Sequence, residues 1–101
     1  MTIPSPLMPG SADAAALMRA MGHAGRLEIL CLLQQGELAM SEIARRLALR
    51  GPAVSQQLAV LRGERLVIGR RQGKNVFYSI ADDATRAIIE VLRQRFCPRL
   101  P

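Results

Sequence analysis

The stretch SEIARRLALRGPAVSQQLAVLRGERLV, residues 41–67, predicts two short helices separated by a tight break. Ser41 is the expected N-cap of the first helix. Three apolar residues of that helix are expected to face inward: Ile43, Ala44 and Leu47. We expect Gly51 to cap the second helix and Pro52 to be its first helical residue, because the amide proton that proline lacks is not used at that position.

The second of these helices has an apolar stripe and a polar face. Its apolar residues recur at i, i+4 and i+7, which places them on one side of a helix; they are Val54, Leu58 and Leu61. Gln56 projects from the opposite side, whereas Ser55 and Gln57 flank the stripe. After Leu66 the apolar period shortens from 3.6 to about 2, and VIGRR, QGKN and VFYSI predict a strand, a turn and a second strand.

Three further helices are predicted around this centre. Residues 11–21 form a short helix with Ser11 as its cap, and HAGRLEILCLLQQ, residues 23–35, forms a helix without a clean polar face that ends before Gly36. Asp82 or Asp83 caps a last helix that Pro98 stops. The fold class is therefore mainly α with a small β-hairpin.

Length and composition indicate one domain. We expect residues 1–10, which contain three of the six prolines, to be a flexible arm and residues 11–101 to be the domain. A chain of 101 residues buries a modest share of its surface, which favours a partner subunit. No stretch has the length of a membrane span or the pattern of a secretory signal, so we expect a cytoplasmic protein that has no membrane contact and no structural disulfide.

The order of the elements is typical of a winged helix-turn-helix protein, in which the second helix of the pair enters the major groove of double-stranded DNA. The formal net charge of +6 agrees with a polyanionic partner. Ser55, Gln56 and Gln57 are candidates for reading base edges. The candidate phosphate ligands are Arg50, Arg62, Arg70, Arg71 and Lys74. A solvated polar face is the simpler interpretation, and RNA binding fits poorly because the chain has two Phe and one Tyr for stacking.

Four segments together resemble the ArsR/SmtB family of small dimeric repressors, over roughly residues 14–97: GHAGRLEILCLL, ELAMSEIARRLAL, PAVSQQLAVLRGERLV and RRQGKNVFYSI. The resemblance implies a homodimer formed through the first and last helices, with operator DNA as partner. One departure concerns Arg50, which stands where many members have a capping Ser or Thr. Gly51 must then cap the helix, or the helix end stays open.

The metal-sensing residues of many family members are missing from this chain. Met40 and Ser41 stand where the third helix would carry cysteines, and the last helix offers only Asp82, Asp83 and Glu90, with no histidine. The single histidine, His23, is interpreted as a cap or a packing residue. We therefore predict no metal and no other cofactor.

Two cysteines remain as reactive side chains, Cys31 in the second helix and Cys97 at the end of the last. Their placement resembles the SqrR/BigR branch of the family, which responds to persulfides. The resemblance implies that a persulfide or polysulfide inducer bridges Cys31 and Cys97 through added sulfur atoms and weakens operator binding. We expect burial to raise the pKa of Cys31 and nearby arginines to make Cys97 the first nucleophile.

Alternatives to this function stay open. A direct Cys31–Cys97 disulfide would respond to general oxidation, and a DNA-binding protein without cysteine sensing would use Cys31 only for packing. An enzyme is not expected, because the cysteines are not arranged as Cys-x-x-Cys and no Ser-His-Asp set or phosphate-binding loop is present.

Overall fold

A computed structural model describes residues 7–97 of the chain. Residues 1–6 of the expected arm lie outside the described residues, and so does Pro98, the predicted end of the last helix. The elements, in chain order, are α1 (Ser11–Met21), α2 (Ala24–Leu33), β1 (Leu38–Ala39), α3 (Met40–Leu47), α4 (Gly51–Gly63), β2 (Val67–Gln72), β3 (Asn75–Ile80) and α5 (Asp83–Phe96). The predicted class, mainly helical with a β-hairpin, is confirmed.

The predicted hairpin is formed by β2 and β3, which pair antiparallel from Val67 opposite Ile80 to Gln72 opposite Asn75. Gly73 in the two-residue turn has a φ of 63°, a conformation that glycine adopts without steric cost. The sequence did not predict β1, which pairs with β3 and makes the sheet three-stranded, in the order β1-β3-β2. Two residues are too few to show an alternating pattern.

The apolar stripe predicted for α4 is confirmed, since Val54, Leu58 and Leu61 are all buried. They pack with three fully buried residues of α2, Ile29, Leu30 and Leu33. Of the three residues predicted to face inward on α3, Ile43 is fully buried, and Ala44 and Leu47 pack at the edge of the core. Ile89 joins α5 to the same core.

Two of the predicted helix caps are confirmed. The carboxylate of Asp82 accepts a hydrogen bond of 2.8 Å from the Thr85 amide at the start of α5. His23 is the N-cap of α2, and its Nδ1 accepts from the Gly25 amide at 3.1 Å. These side chains satisfy amide groups that have no partner inside their helices.

Three other predicted helix starts were wrong by one or two residues. Ser11 and Pro52 each lie one position further into their helices than predicted, and Ser41 lies two positions further in. Since β1 runs directly into α3, the chain stays extended until Ala39, which becomes the N-cap in place of Ser41. Arg50 is the N-cap of α4 and makes no side-chain capping bond, so this helix end is open.

The end of α2 also comes earlier than predicted. The helix stops at Leu33, and a turn through Gln34 and Gln35 leads to Gly36, which has a φ of 141°. The Gly36 amide donates to the carbonyl of Leu33 at 3.1 Å. This turn directs the chain into β1 and places Gln34 against α5.

Candidate nucleic-acid interface and thiol pocket

The outer face of α4 is exposed along its first two turns. Arg50, Ser55 and Gln56 line a shallow concave surface there, together with Pro52, Ala53 and Ala59. Arg62 is exposed at the far end of the helix. Gln56 is opposite the buried stripe and Ser55 is beside it, and both side chains are exposed, so their amide and hydroxyl groups are free to meet base edges.

A groove separates α4 from the tip of the hairpin. Its polar lining consists of Ser41 at the start of α3, Ser55 on α4, and Lys74 and Asn75 at the turn. Ser41 was predicted to be a helix cap, and no sequence pattern pointed to Asn75. Both are hydroxyl or amide side chains of the kind that bind phosphate oxygens, and tertiary packing brings them to the same groove as Ser55.

Arg70 on β2 is held by the body of the protein. Its Nε and Nη2 donate to the two carboxylate oxygens of Glu37 at 3.1 and 2.7 Å, and its guanidinium lies 5.0 Å from the centre of the Phe77 ring. The hydrogen bonds from Arg70 hold the pKa of Glu37 below its usual value. Arg71 and Lys74 are exposed. Arg70 thus attaches the hairpin to Glu37, whereas the exposed side chains of Arg71 and Lys74 are available to bind phosphates.

Gln57 differs from the other two predicted base readers because its side chain is half-buried. Its Oε1 accepts a hydrogen bond of 3.0 Å from Nη1 of Arg26 on α2. The predicted set on α4 therefore divides into two exposed side chains, Ser55 and Gln56, and one that is attached to the neighbouring helix.

The structure brings Cys31 and Cys97 to one pocket. The pocket lies between α2 and α5, has a volume of about 230 Å³, and is lined by Leu27, Glu28, Cys31, Ile89, Leu92, Arg93, Phe96 and Cys97. Both thiols are free and half-buried. Apart from the sulfur atoms, its walls are mainly apolar, so water competes weakly with a sulfur reagent inside it.

Arg93 supplies the positive charge among the residues that line this pocket. Its Nε and Nη2 donate to Glu90 at 3.0 and 2.6 Å, which lowers the pKa of Glu90 to about 2. Burial raises the pKa of the Cys31 thiol, and the negative charge of an ionised Cys97 raises it further, whereas Arg93 acts in the opposite direction. The expectation that burial disfavours the Cys31 thiolate is confirmed.

Gln34 connects the end of α2 to α5 beside this pocket. Its Nε2 donates to the Arg86 carbonyl at 3.1 Å, and Nη1 of Arg86 donates back to the Gln34 carbonyl at 3.3 Å. A longer contact of 3.4 Å joins Gln34 to Glu90. The turn that follows α2 is therefore joined to α5 by polar bonds, in addition to the apolar packing between the two helices.

Candidate metal ligands are dispersed or engaged elsewhere. Within residues 7–97 no three His, Cys, Asp or Glu side chains lie together as a metal site would require. Asp82 caps α5, and Glu90 is bonded to Arg93, Gln34 and Gln94. Over the same residues, no helix combines the length and apolar character of a membrane span.

Comparison with known proteins gives one consistent result. Residues 23–68 match the family model described as bacterial regulatory protein, arsR family. The chain is 41% identical over 96 residues to the biofilm growth-associated repressor of Agrobacterium fabrum, covering 94% of this chain and 82% of the relative. It is 41% identical over 87 residues to the transcriptional activator HlyU of Vibrio cholerae, covering 86% and 81%.

Solved structures agree with these relatives. HlyU from Vibrio cholerae superimposes with a TM-score of 0.84 at 41% identity, over 87% of this chain and 96% of that one. The repressor BigR from Xylella fastidiosa gives 0.78 at 30% identity over 90% of both chains. A homodimeric winged helix-turn-helix DNA-binding domain from Mycobacterium bovis gives 0.78 at 30% identity, over 82% of this chain and 77% of that one. With the predicted helix pair and hairpin in place and these relatives covered over most of their length, the chain belongs to the arsR family of bacterial regulatory proteins and has the winged helix-turn-helix fold.

Proposed function

We propose that the protein is a dimeric transcriptional repressor whose affinity for operator DNA falls when sulfur from a persulfide bridges Cys31 and Cys97. The observation that carries this proposal is the shared pocket, which places both cysteines of the chain between α2 and α5. DNA binding is assigned to α4 and to the hairpin of β2 and β3. In this function the protein is not an enzyme and needs no metal.

The DNA-binding part of the proposal is supported by charge and exposure. The net charge of +6 suits a polyanion, and the exposed face of α4 with the groove toward Lys74 and Asn75 offers groups for bases and phosphates. The relative from Agrobacterium fabrum is named a repressor. The predicted cytoplasmic location belongs with this function, because the operator lies there.

Dimerisation is supported by apolar side chains that a single chain leaves in water. Val91 and Phe96 on α5 are 64% and 69% exposed, and Met18 on α1 is 57% exposed. Large exposed apolar residues grouped on two helices mark a protein interface. The similar domain from Mycobacterium bovis is homodimeric. A symmetric dimer through α1 and α5 would present two α4 helices to successive major-groove half-sites.

The proposed reaction begins at Cys97, because burial disfavours the thiolate of Cys31. The Cys97 thiolate accepts a sulfane sulfur from each of two glutathione persulfide molecules in turn, and two glutathione thiolates leave. The Cys31 thiolate then attacks the first added sulfur, and hydrosulfide leaves. The product is a trisulfide in which one added sulfur joins the two cysteines, and the persulfide molecules are the oxidant.

Bridging would alter DNA binding through the position of α5. Cys31 lies in the helix that forms the centre of the core, and Cys97 follows the last residue of α5. A bridge constrains α5 against α2, and a dimer built through α5 then changes the spacing of its two α4 helices. The inducer needs only to bind the two states with different affinity.

The test combines intact mass and DNA binding on the same reduced samples, after treatment with glutathione persulfide or with peroxide. A duplex selected by the protein from a random-sequence pool serves as the operator. We expect persulfide to increase the mass by about 32 Da for each inserted sulfur, minus about 2 Da for the two thiol hydrogens that are lost. DNA binding should weaken in the same samples. A direct disulfide would instead lower the mass by about 2 Da.

Single variants separate the alternatives. Cys31→Ser and Cys97→Ser should both bind the selected duplex but no longer respond to persulfide, because neither can form an internal bridge. A loss of about 2 Da with peroxide, together with full DNA release, would instead support the general oxidation sensor. Unchanged mass and binding would leave a DNA-binding protein without cysteine sensing.

A further inference from the structure

Arg26, near the start of α2, connects three helices through its guanidinium. Nε donates to the Ala20 carbonyl at 2.5 Å and Nη2 to the Arg19 carbonyl at 3.4 Å, which holds the group against the end of α1. Nη1 donates to Oε1 of Gln57 on α4 at 3.0 Å. Three partners within the chain therefore orient the guanidinium of Arg26.

This arrangement determines which end of the Gln57 amide faces outward. A guanidinium has five N–H donors and no acceptor, so only the oxygen of the Gln57 amide can face Arg26. The amide nitrogen, Nε2, must then point the other way. Within the described part of the chain, Nε2 of Gln57 has no hydrogen-bond partner. Two N–H donors are thus left available on the helix that carries Ser55 and Gln56.

We propose that Arg26 is a positioning residue that presents Gln57 to DNA as a hydrogen-bond donor only. This inference rests on the proposed DNA-binding role of α4. Glutamine reads adenine by using its oxygen and its nitrogen together, accepting from N6 and donating to N7. With Oε1 bonded to Arg26, Gln57 donates instead to an acceptor on DNA, which is guanine O6 or N7, thymine O4 or a phosphate oxygen. Gln56 keeps both of its polar atoms for readout.

The first test is Gln57→Glu. The glutamate keeps an oxygen toward Arg26 but replaces the outward N–H₂ group with an anionic oxygen, which repels bases that offer acceptors and repels phosphates. We expect a melting temperature no lower than wild type and an affinity for the pool-selected duplex at least about tenfold weaker. Gln56→Glu is the matched control for melting, since Gln56 makes no contact with Arg26. Affinity of Gln57→Glu within about twofold of wild type would overturn the proposal.

The second test asks whether Arg26 controls what Gln57 reads. Arg26→Met frees Oε1, so selection from the random pool should show increased adenine at one position per half-site if Gln57 faces a base. If Gln57 faces a phosphate, affinity should fall equally for all sequences. Arg19→Met, an exposed arginine at the same helix junction, is the matched control for loss of charge.

Folding and function are distinguished by the design. Should Arg26→Met not fold, Arg26→Lys replaces it, because one ammonium cannot contact both carbonyls and Gln57 and should give the same change more weakly. If the Arg26 variant that folds has the same base preferences and the same DNA affinity as the wild-type protein, the proposed role of Arg26 is wrong. If the wild-type protein itself enriches no sequence, the proposed DNA-binding function fails, and not this inference alone.

Discussion

Cys31 on α2 and Cys97 at the end of α5 line the same apolar pocket, with the guanidinium of Arg93 beside them. The two cysteines are far apart in sequence, so only the packing of α5 against α2 brings them together. Arg93 is one turn before Cys97 and receives the Cys97 amide at its carbonyl, 2.7 Å away. A cation held by Glu90 at the edge of an apolar pocket is well placed to stabilise a thiolate.

Arg93→Met should slow the reaction of the thiols with glutathione persulfide. Removing the cation raises the energy of the thiolates, but Arg93 is partly exposed and solvent screens part of the effect, so we expect a rate lower by about three- to tenfold at neutral pH. Intact mass against time measures the rate. Arg95→Met is the matched control, because Arg95 is exposed and does not line the pocket. Equal slowing in both variants would contradict a local role for Arg93.

Alkylation of Cys31 should depend steeply on pH. In the Cys97→Ser variant, burial still holds the pKa of Cys31 above its ordinary value of 9.0. A raised pKa leaves the neutral thiol dominant at neutral pH, so the rate with iodoacetamide should rise about tenfold per pH unit. A rate that levels off below pH 9.0 would contradict this. Because the unfolded chain ionises Cys31 first, this residue's contribution to stability should be constant below pH 9.0 and decline as the pH rises above it.

Lys74→Met should weaken DNA binding uniformly across sequences. Lys74 is exposed at the tip of the hairpin and lines the groove toward Ser55, where a phosphate contact releases a counterion. We expect the slope of log affinity against log salt to become less steep by about one. Titration of the selected duplex at several salt concentrations measures it. An unchanged slope, or a change as large in Arg95→Met, would argue against a phosphate contact.

Ala48→Gly should stabilise the protein. Ala48 follows α3 with a φ of 54°, and the Leu49 amide bonds to the Ala44 carbonyl at 2.9 Å, which is the geometry of a helix end that glycine normally occupies. Glycine removes the strain of the left-handed conformation, and the net gain should be about 0.5–1 kcal/mol in urea unfolding. Ala59→Gly, in the exposed interior of α4, should instead cost about 1 kcal/mol. A loss of stability in both variants would contradict the assignment.

Local patterns predicted most of the fold correctly. The apolar stripe of Val54, Leu58 and Leu61 is buried, and the change of period after Leu66 marks the start of the hairpin. The caps at His23 and Asp82 were also predicted, because each satisfies amides within three residues of itself. The boundary at Ser41 was not, since β1 keeps the chain extended up to Ala39.

The candidate sites were predicted as residue types, whereas their geometry came from packing. The exposure of Gln56 could be inferred from its position opposite the apolar stripe. Ser55 and Gln57 both flank that stripe, and only the structure shows that Ser55 is exposed and Gln57 is half-buried. The attachment of Gln57 to Arg26 and of Arg70 to Glu37 could not be inferred, because each pair joins elements more than thirty positions apart.

The sequence by itself determined the helices, the hairpin and the presence of two cysteines, since periodicity, capping and composition depend on neighbours along the chain. Only the tertiary structure decided that Cys31 and Cys97 line one pocket with Arg93, and that Gln57 directs its oxygen inward. The physical reason is the range of the interactions. A helix is held by bonds between residues one turn apart, whereas a pocket or a long-range hydrogen bond exists only when separate elements pack at a particular register and distance.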